Sequence, residues 1–194
     1  MKKISVIKSY KPLFKIEKGL VLSKNEKVYI ENGNKIDYLF SFPTSLLTKI
    51  LNKSKLFYRM NRSGVGASIY FNSLSFFSFN RVLYCYDFSL EKLTVELDFI
   101  KGRGPLQFTE IKDMKDFDTG IYYGEYFGNS SRASISIFKR TENSTWESVY
   151  TFKCGEINHI HALIPDPFRG CVWILAGDFE HSAAIYMANN NFET

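Results

Sequence analysis

The sequence predicts an all-β protein of the β-propeller type, built from four-stranded antiparallel blades, and three observations lead there. The first is composition: 18 Phe and 12 Tyr stand against 4 Met in 194 residues, and aromatic and β-branched side chains fit a pleated, half-buried surface. The second is rhythm. Short apolar runs divided by turn residues fall into groups of up to four that recur about every 45 residues, the spacing of propeller blades. The third is a match between units: the run ending at Phe138 and the run ending at Met187 are each followed by a polar turn at the same place. A β-sandwich uses strands of similar length; the match between units favours the propeller.

Taken in order, the first group comprises Gly19–Ser23, Lys27–Ile30 and Lys35–Phe40. Asn32-Gly33 lies between the last two, and such a pair suits the positive φ angles of a type I′ hairpin turn. Leu46, Leu47, Ile50 and Leu51, with Thr44 or Ser45 as N-cap and Lys49 and Lys53 opposite, predict one short inserted helix over residues 45–54. The second group is Ala67–Phe71, Leu74–Phe79, Arg81–Asp87 and Leu93–Phe99. Thr109–Ile111, Thr119–Tyr126, Ala133–Phe138 and Trp146–Phe152 make the third; Ile157–Leu163, Cys171–Ala176 and Ala183–Met187 make the fourth. The whole of 1–194 reads as one domain.

The formal charge of +5 does not make a nucleic-acid-binding protein, because the lysines between Lys2 and Lys55 are interleaved with apolar residues rather than gathered. Cys85, Cys154 and Cys171 are too few and too scattered for a disulfide framework, and are expected reduced and buried. Lys8 and Lys11 interrupt the apolar run after the N-terminus, and no stretch is long and apolar enough to span a bilayer. A cytoplasmic protein is the expectation.

Tyr123-Gly124-Glu125-Tyr126, the turn Thr145-Trp146, Asn158-His159-Ile160-His161, Pro165-Asp166-Pro167 and Trp173 to Asp178 together resemble bacterial sialidase-like propellers carrying BNR, or Asp-box, repeats. The resemblance covers residues 100–194, and the first half only in strand spacing. Of the consensus Ser-x-Asp-x-Gly-x-Thr-Trp the third group keeps Thr145 and Trp146, with Thr141 and Asn143 at the Asp and Gly positions; in the fourth group Asn190 replaces the Asp. An Asp box is structural, its Trp packing between strands, so it bears on fold more than on activity. Such propellers have six or more blades. The four visible here imply an incomplete ring, whose open blade edges would favour self-association, with a closed four-bladed ring as the alternative. The resemblance also implies a carbohydrate partner, recognised or hydrolysed.

The candidate ligand-binding residues are His159, His161, Glu125, Asp178 and Arg132. His159 and His161 lie two apart on a predicted strand and so share a face, where Asp178 and Glu180 at the end of a neighbouring strand would join them. Imidazole and carboxylate suit a divalent transition metal, with His159, His161 and Asp178 as its ligands. Glu125 between two tyrosines has the aromatic-plus-carboxylate character of a sugar site, and Gly124 beside it permits close approach of a neighbour. Arg132 follows a hydroxyl-rich turn and would reach a channel mouth. Arg62, Arg103 and Arg132 could supply the triad a sialidase needs, but nothing in their spacing selects them, and the Arg-Ile-Pro motif of such enzymes is absent. Two other functions compete: a non-enzymatic interaction scaffold, in which these polar groups satisfy one another, and a metal-dependent hydrolase or lyase using the His pair.

Overall fold

A computed structural model of the chain describes residues 9–33, 35–51, 54, 64–99, 102–178 and 182–193. They form four antiparallel sheets that follow one another in chain order. The first holds β1 (Lys11–Ile16), β2 (Gly19–Lys24), β3 (Lys27–Asn32) and β4 (Lys35–Ser41); the second holds β5 (Val65–Phe71), β6 (Leu74–Phe79), β7 (Val82–Asp87) and β8 (Lys92–Asp98). The third runs β10 (Thr109–Ile111), β11 (Gly120–Tyr126), β12 (Ile135–Arg140) and β13 (Trp146–Phe152), with the two-residue β9 (Gly104–Pro105) paired to the end of β11. The fourth has three strands, β14 (Ile160–Asp166), β15 (Cys171–Ala176) and β16 (Ala184–Ala188). Each sheet is a meander of neighbours joined by hairpins, and none closes into a barrel.

The strands fall where alternation and turn residues place them, with local corrections. β1 was not predicted, because Lys11 and Lys15 obscure the apolar pattern of Leu13, Phe14 and Ile16. Its Lys11 Nζ donates to the carbonyl oxygens of Val65, at 2.6 Å, and Gly66, at 3.2 Å. A lysine thereby ties the first sheet to the second, and its burial lowers its pKa. In the β3–β4 hairpin Asn32 pairs with Lys35, so Asn32 belongs to the ladder rather than to the centre of the turn; Gly33 carries φ +65°, natural for a residue without a Cβ. The predicted strand at Ile157 starts at Ile160 instead.

The helix α1 spans Leu46–Leu51, and the backbone N–H of Thr48 donates to Ser45 Oγ at 3.1 Å, the N-cap bond expected of serine. Its Leu46, Leu47 and Ile50 are exposed rather than buried. The rest of the predicted helix lies outside the described residues, in which no helix is long and apolar enough to cross a membrane. Cys85 and Cys171 are buried as expected, whereas Cys154 is exposed.

Side-chain parity explains how the sheets stack. Alternate residues of a strand point to opposite faces, and each of the two middle sheets buries both. In the second sheet Phe77, Phe79, Tyr84 and Tyr86 pack on the first sheet with Val21, Val28 and Phe40, while Phe76, Leu83 and Cys85 pack on the third with Ile121 and Tyr123. In the third, Tyr122, Ile135 and Ile137 face Ile160, Leu163, Val172 and Ile174 of the fourth. The result is three cores between four consecutive sheets, dense in rings: Phe40 stacks on Tyr86 at 4.4 Å and Phe42 on Phe79 at 4.4 Å. Pairs of this kind contribute about 0.5–1.5 kcal/mol each beyond the area they bury.

Trp146 lies between the second and third sheets, against Phe76, Phe108 and Tyr123. Its Nε1–H donates to Glu96 of β8 at 3.0 Å, and Arg140 of β12 binds the same carboxylate through Nε and Nη2. The turn preceding Trp146 is closed by Thr141 and Thr145, backbone N–H to carbonyl at 2.8 Å. The matching segment of the fourth sheet differs: Asn190–Phe192 form a 3-10 turn with positive φ at all three residues. It returns Phe192 to the core against Phe117 and Tyr122, so the two turns are alike in position and not in conformation.

Candidate functional site

The third and fourth sheets approach most closely where β11 crosses β14. A Cβ on Gly124 would collide with the side chain of Ile160, so the missing side chain sets the spacing of the seam. Tyr126, two residues along and on the same face, then meets His159 and His161 at ring separations of 4.5 and 5.5 Å. His159 lies just ahead of β14 and His161 within it, their rings edge to face at 4.8 Å.

Asp178 completes the group from the bend after β15. Its Oδ2 is 3.0 Å from His159 Nε2 and its Oδ1 is 2.8 Å from His161 Nε2. His159 Nδ1 is 3.2 Å from the Phe127 carbonyl and His161 Nε2 is 2.8 Å from the Gly177 carbonyl. One donor atom from each of His159, His161 and Asp178 lies within 4.8 Å of the others, so these three residues could hold a cation. The His159–Asp178 contact satisfies the distance of an ion pair, yet among the described residues His159 Nε2 has no hydrogen bond of acceptable direction. The direction is the more telling of the two, because a hydrogen bond weakens steeply off axis.

Gly177 organises this corner. Its N–H donates to the His159 carbonyl at 3.0 Å, its own carbonyl meets His161, and its φ is +77°. A Cβ there would collide with the Ser182 carbonyl. Gly177→Ala is expected to destabilise the protein by about 1–3 kcal/mol, the usual cost of a side chain held in such a conformation, and to displace Asp178. Urea unfolding together with the His161 imidazole proton shifts checks this; an unchanged midpoint would contradict it.

His159 and Asp178 line a cleft of about 760 Å³ where the second, third and fourth sheets meet, together with Arg81, Tyr126, Phe127 and Asn158 among others, while His161 borders a separate cavity beside Gly177. Asn158 and His159 are 7% and 6% exposed, and the Asn158 Oδ1 and His159 Nε2 atoms have no hydrogen-bond partner among the described residues. Asn129, also in the lining, is fully engaged: its Nδ2 donates to the Ala133 and Asn158 carbonyls and its Oδ1 accepts from the Ala133 N–H.

The structure thus brings His159, His161 and Asp178 together and separates the other candidates from them. Glu125 points to the opposite face of β11 from Tyr126, where Arg103 Nε and Nη2 reach its two oxygens at 2.7 Å each and the Ser136 N–H donates to Oε2 at 2.8 Å. Arg103 also donates to the Ser134 carbonyl. This pair borders a separate cavity of about 360 Å³, where burial, and secondarily the charge of Glu125, raises the pKa of Tyr123. Arg132 donates to the Glu156 carbonyl at 3.3 Å and does not line the cleft. Arg62 and Glu180 lie outside the described residues. Tyr126, Phe127, Asn158 and Arg81 were not among the sequence candidates; Tyr126 and Asn158 adjoin Glu125 and His159, but their facing is a matter of inter-sheet packing.

No protein-family model matches the chain, and no curated protein matches its sequence. Among solved structures it is similar to the extracellular domain of the hybrid two-component system BT4673 from B. thetaiotaomicron, with TM-score 0.56 and 16% identity over 93% of this chain and 20% of that one. The chain therefore spans about a fifth of that domain, and the likeness is one of fold. A computationally designed protein, Ika8, aligns with TM-score 0.44 and 11% identity over 92% of this chain and 58% of its own.

Proposed function

We propose that the chain is part of a sialidase-like β-propeller and that the cleft between its second, third and fourth sheets recognises a carbohydrate. Four consecutive meandering sheets stacked face to face, with no core joining the first to the fourth among the described residues, support an open run of blades. β16 is then the edge to which a further strand would add, and its exposed Ile185 and Met187 favour self-association.

The observation that carries the binding reading is Asn158 Oδ1: a buried acceptor with no partner among the described residues, bordering a polar cleft beside the half-buried rings of Tyr126 and Phe127. A buried polar atom left unmade costs about 1–3 kcal/mol, which a ligand hydroxyl would recover. Sugars offer hydroxyl donors around an apolar ring face, the mixture such a lining suits. Binding is favoured over hydrolysis because a sialidase needs an arginine triad, and Arg103 is held by Glu125 on another face while Arg132 does not line the cleft; the two-carboxylate route of other glycosidases has only Asp178 of the candidate carboxylates in the lining.

A glycan array probed with the labelled protein tests this. Retention of a defined glycan class is expected, weakened about tenfold or more in Asn158→Leu, a factor equal to about 1.4 kcal/mol, with the unfolding midpoint unchanged. No retained glycan, or retention indifferent to Asn158→Leu and Tyr126→Leu, would leave the scaffold reading in its place.

A further inference from the structure

We propose that His159, His161 and Asp178 form a binding site for one zinc ion at the edge of the cleft, with His159 and His161 presenting imidazole nitrogen and Asp178 a carboxylate oxygen.

The argument begins with the protons of His159. A neutral imidazole has one N–H and one lone pair. The Phe127 carbonyl, 3.2 Å from Nδ1, accepts the N–H and leaves the lone pair on Nε2. That atom belongs to a ring 6% exposed, has no directed hydrogen bond among the described residues, and stands 3.0 Å from Asp178 Oδ2. A buried lone pair beside a carboxylate is unfavourable unless a positive charge lies between them; a proton there would make a directed hydrogen bond to Asp178, which the geometry lacks, so a metal ion fits better. A backbone carbonyl on the far nitrogen is also the usual support of a metal-bound histidine, since it fixes tautomer and ring orientation.

His161 supplies the second nitrogen. Its Nε2 is 2.8 Å from both the Gly177 carbonyl and Asp178 Oδ1. With a proton it serves the carbonyl; without one its lone pair is available to an ion shared with Asp178. Zinc bonds of about 2.0–2.2 Å at tetrahedral angles set neighbouring donors about 3.3–3.5 Å apart. The observed nitrogen-to-oxygen separations of 2.8 and 3.0 Å have to widen by a few tenths of an ångström. Asp178, with a side chain 45% exposed on a bend, has the freedom to do so. Two imidazoles and a carboxylate suit zinc, and three protein ligands leave a fourth position for water or a ligand.

The test uses the full chain, stripped with chelator and dialysed, and zinc chloride alone as probe. Calorimetric titration and elemental analysis are expected to give one zinc per chain, with affinity falling at least about tenfold in His159→Gln and in His161→Gln, and with a zinc-dependent rise in Tm. Asp178→Asn, a change at a half-exposed side chain, provides a variant that folds if His159→Gln does not, and it too is expected to weaken zinc. A hydrogen-bonded trio predicts no uptake, and that result overturns the proposal. So does uptake that survives His159→Gln/His161→Gln and disappears in Cys154→Ser, which would assign the ion to the exposed thiol. Zinc is measured without glycan, so failure here leaves the carbohydrate reading standing, and an empty glycan array leaves this one standing.

Discussion

Glu125→Ala is expected to remove about 3 kcal/mol or more of stability, the range observed when one partner of a buried ion pair is deleted. The Glu125 side chain is 6% exposed and that of Arg103 26%, so the surviving guanidinium regains only part of its hydration. The Ser136 N–H, which donates to Glu125 Oε2 at 2.8 Å, loses its acceptor as well. Glu125→Gln keeps the volume and the Ser136 bond and is expected to fall between wild type and alanine. Urea unfolding reads the effect as a shift in midpoint at constant m-value. Zinc and glycan binding by Glu125→Gln should match wild type, because this carboxylate faces away from the cleft. A change in Glu125→Ala stability within about 0.5 kcal/mol, the range of ordinary surface substitutions, would remove the structural role and return Glu125 to the list of ligand-binding residues.

Gly124→Val is expected to force the third and fourth sheets apart. Gly124 pairs with Ile137 across the β11–β12 ladder and faces Ile160 of β14 so closely that even one added carbon collides. Overpacking a filled core costs about 1–3 kcal/mol, and Ile160 is branched at the atom that would have to yield. Tyr126 lies on the same face of β11, so a valine at position 124 is also expected to lift that ring from His159 and His161. Their imidazole proton resonances should move towards unshielded values, and zinc affinity should fall. Ile160→Ala opens space opposite, and in the double variant it is expected to recover part of the loss, with a coupling of at least about 0.5 kcal/mol, as found for residues in contact. Strictly additive effects would show that the close approach of β11 to β14 does not govern stability.

Strand content and hairpin positions were legible in the chain because they rest on local signals: alternation of period two, and glycine or asparagine where the backbone must turn. The partnership of His159 with His161 was legible for the same reason, since a spacing of two places side chains on one face of an extended backbone, and Asp178 was found at the end of the next strand. The single inserted helix was visible from its spacing and its serine cap, although not the exposure of Leu46, Leu47 and Ile50. β1 was hidden because its Lys11 reaches carbonyl oxygens of another sheet, a use of lysine that no periodicity reports.

Tertiary structure alone decided which polar groups serve the cleft. Glu125 and Tyr126 are neighbours in sequence, yet strand parity sends one to Arg103 and the other to the imidazoles. Which side becomes the cleft depends on how the second and fourth sheets flank the third. Glu96, Arg140 and Trp146 are joined across 44 and 50 residues of chain, again through the packing of one sheet on the next. The sequence by itself determined the strands, their turns and the face shared by the two histidines. Contacts between sheets depend on which large side chains interlock and how closely a glycine lets two backbones approach, and those are properties of the folded arrangement rather than of any local run of residues.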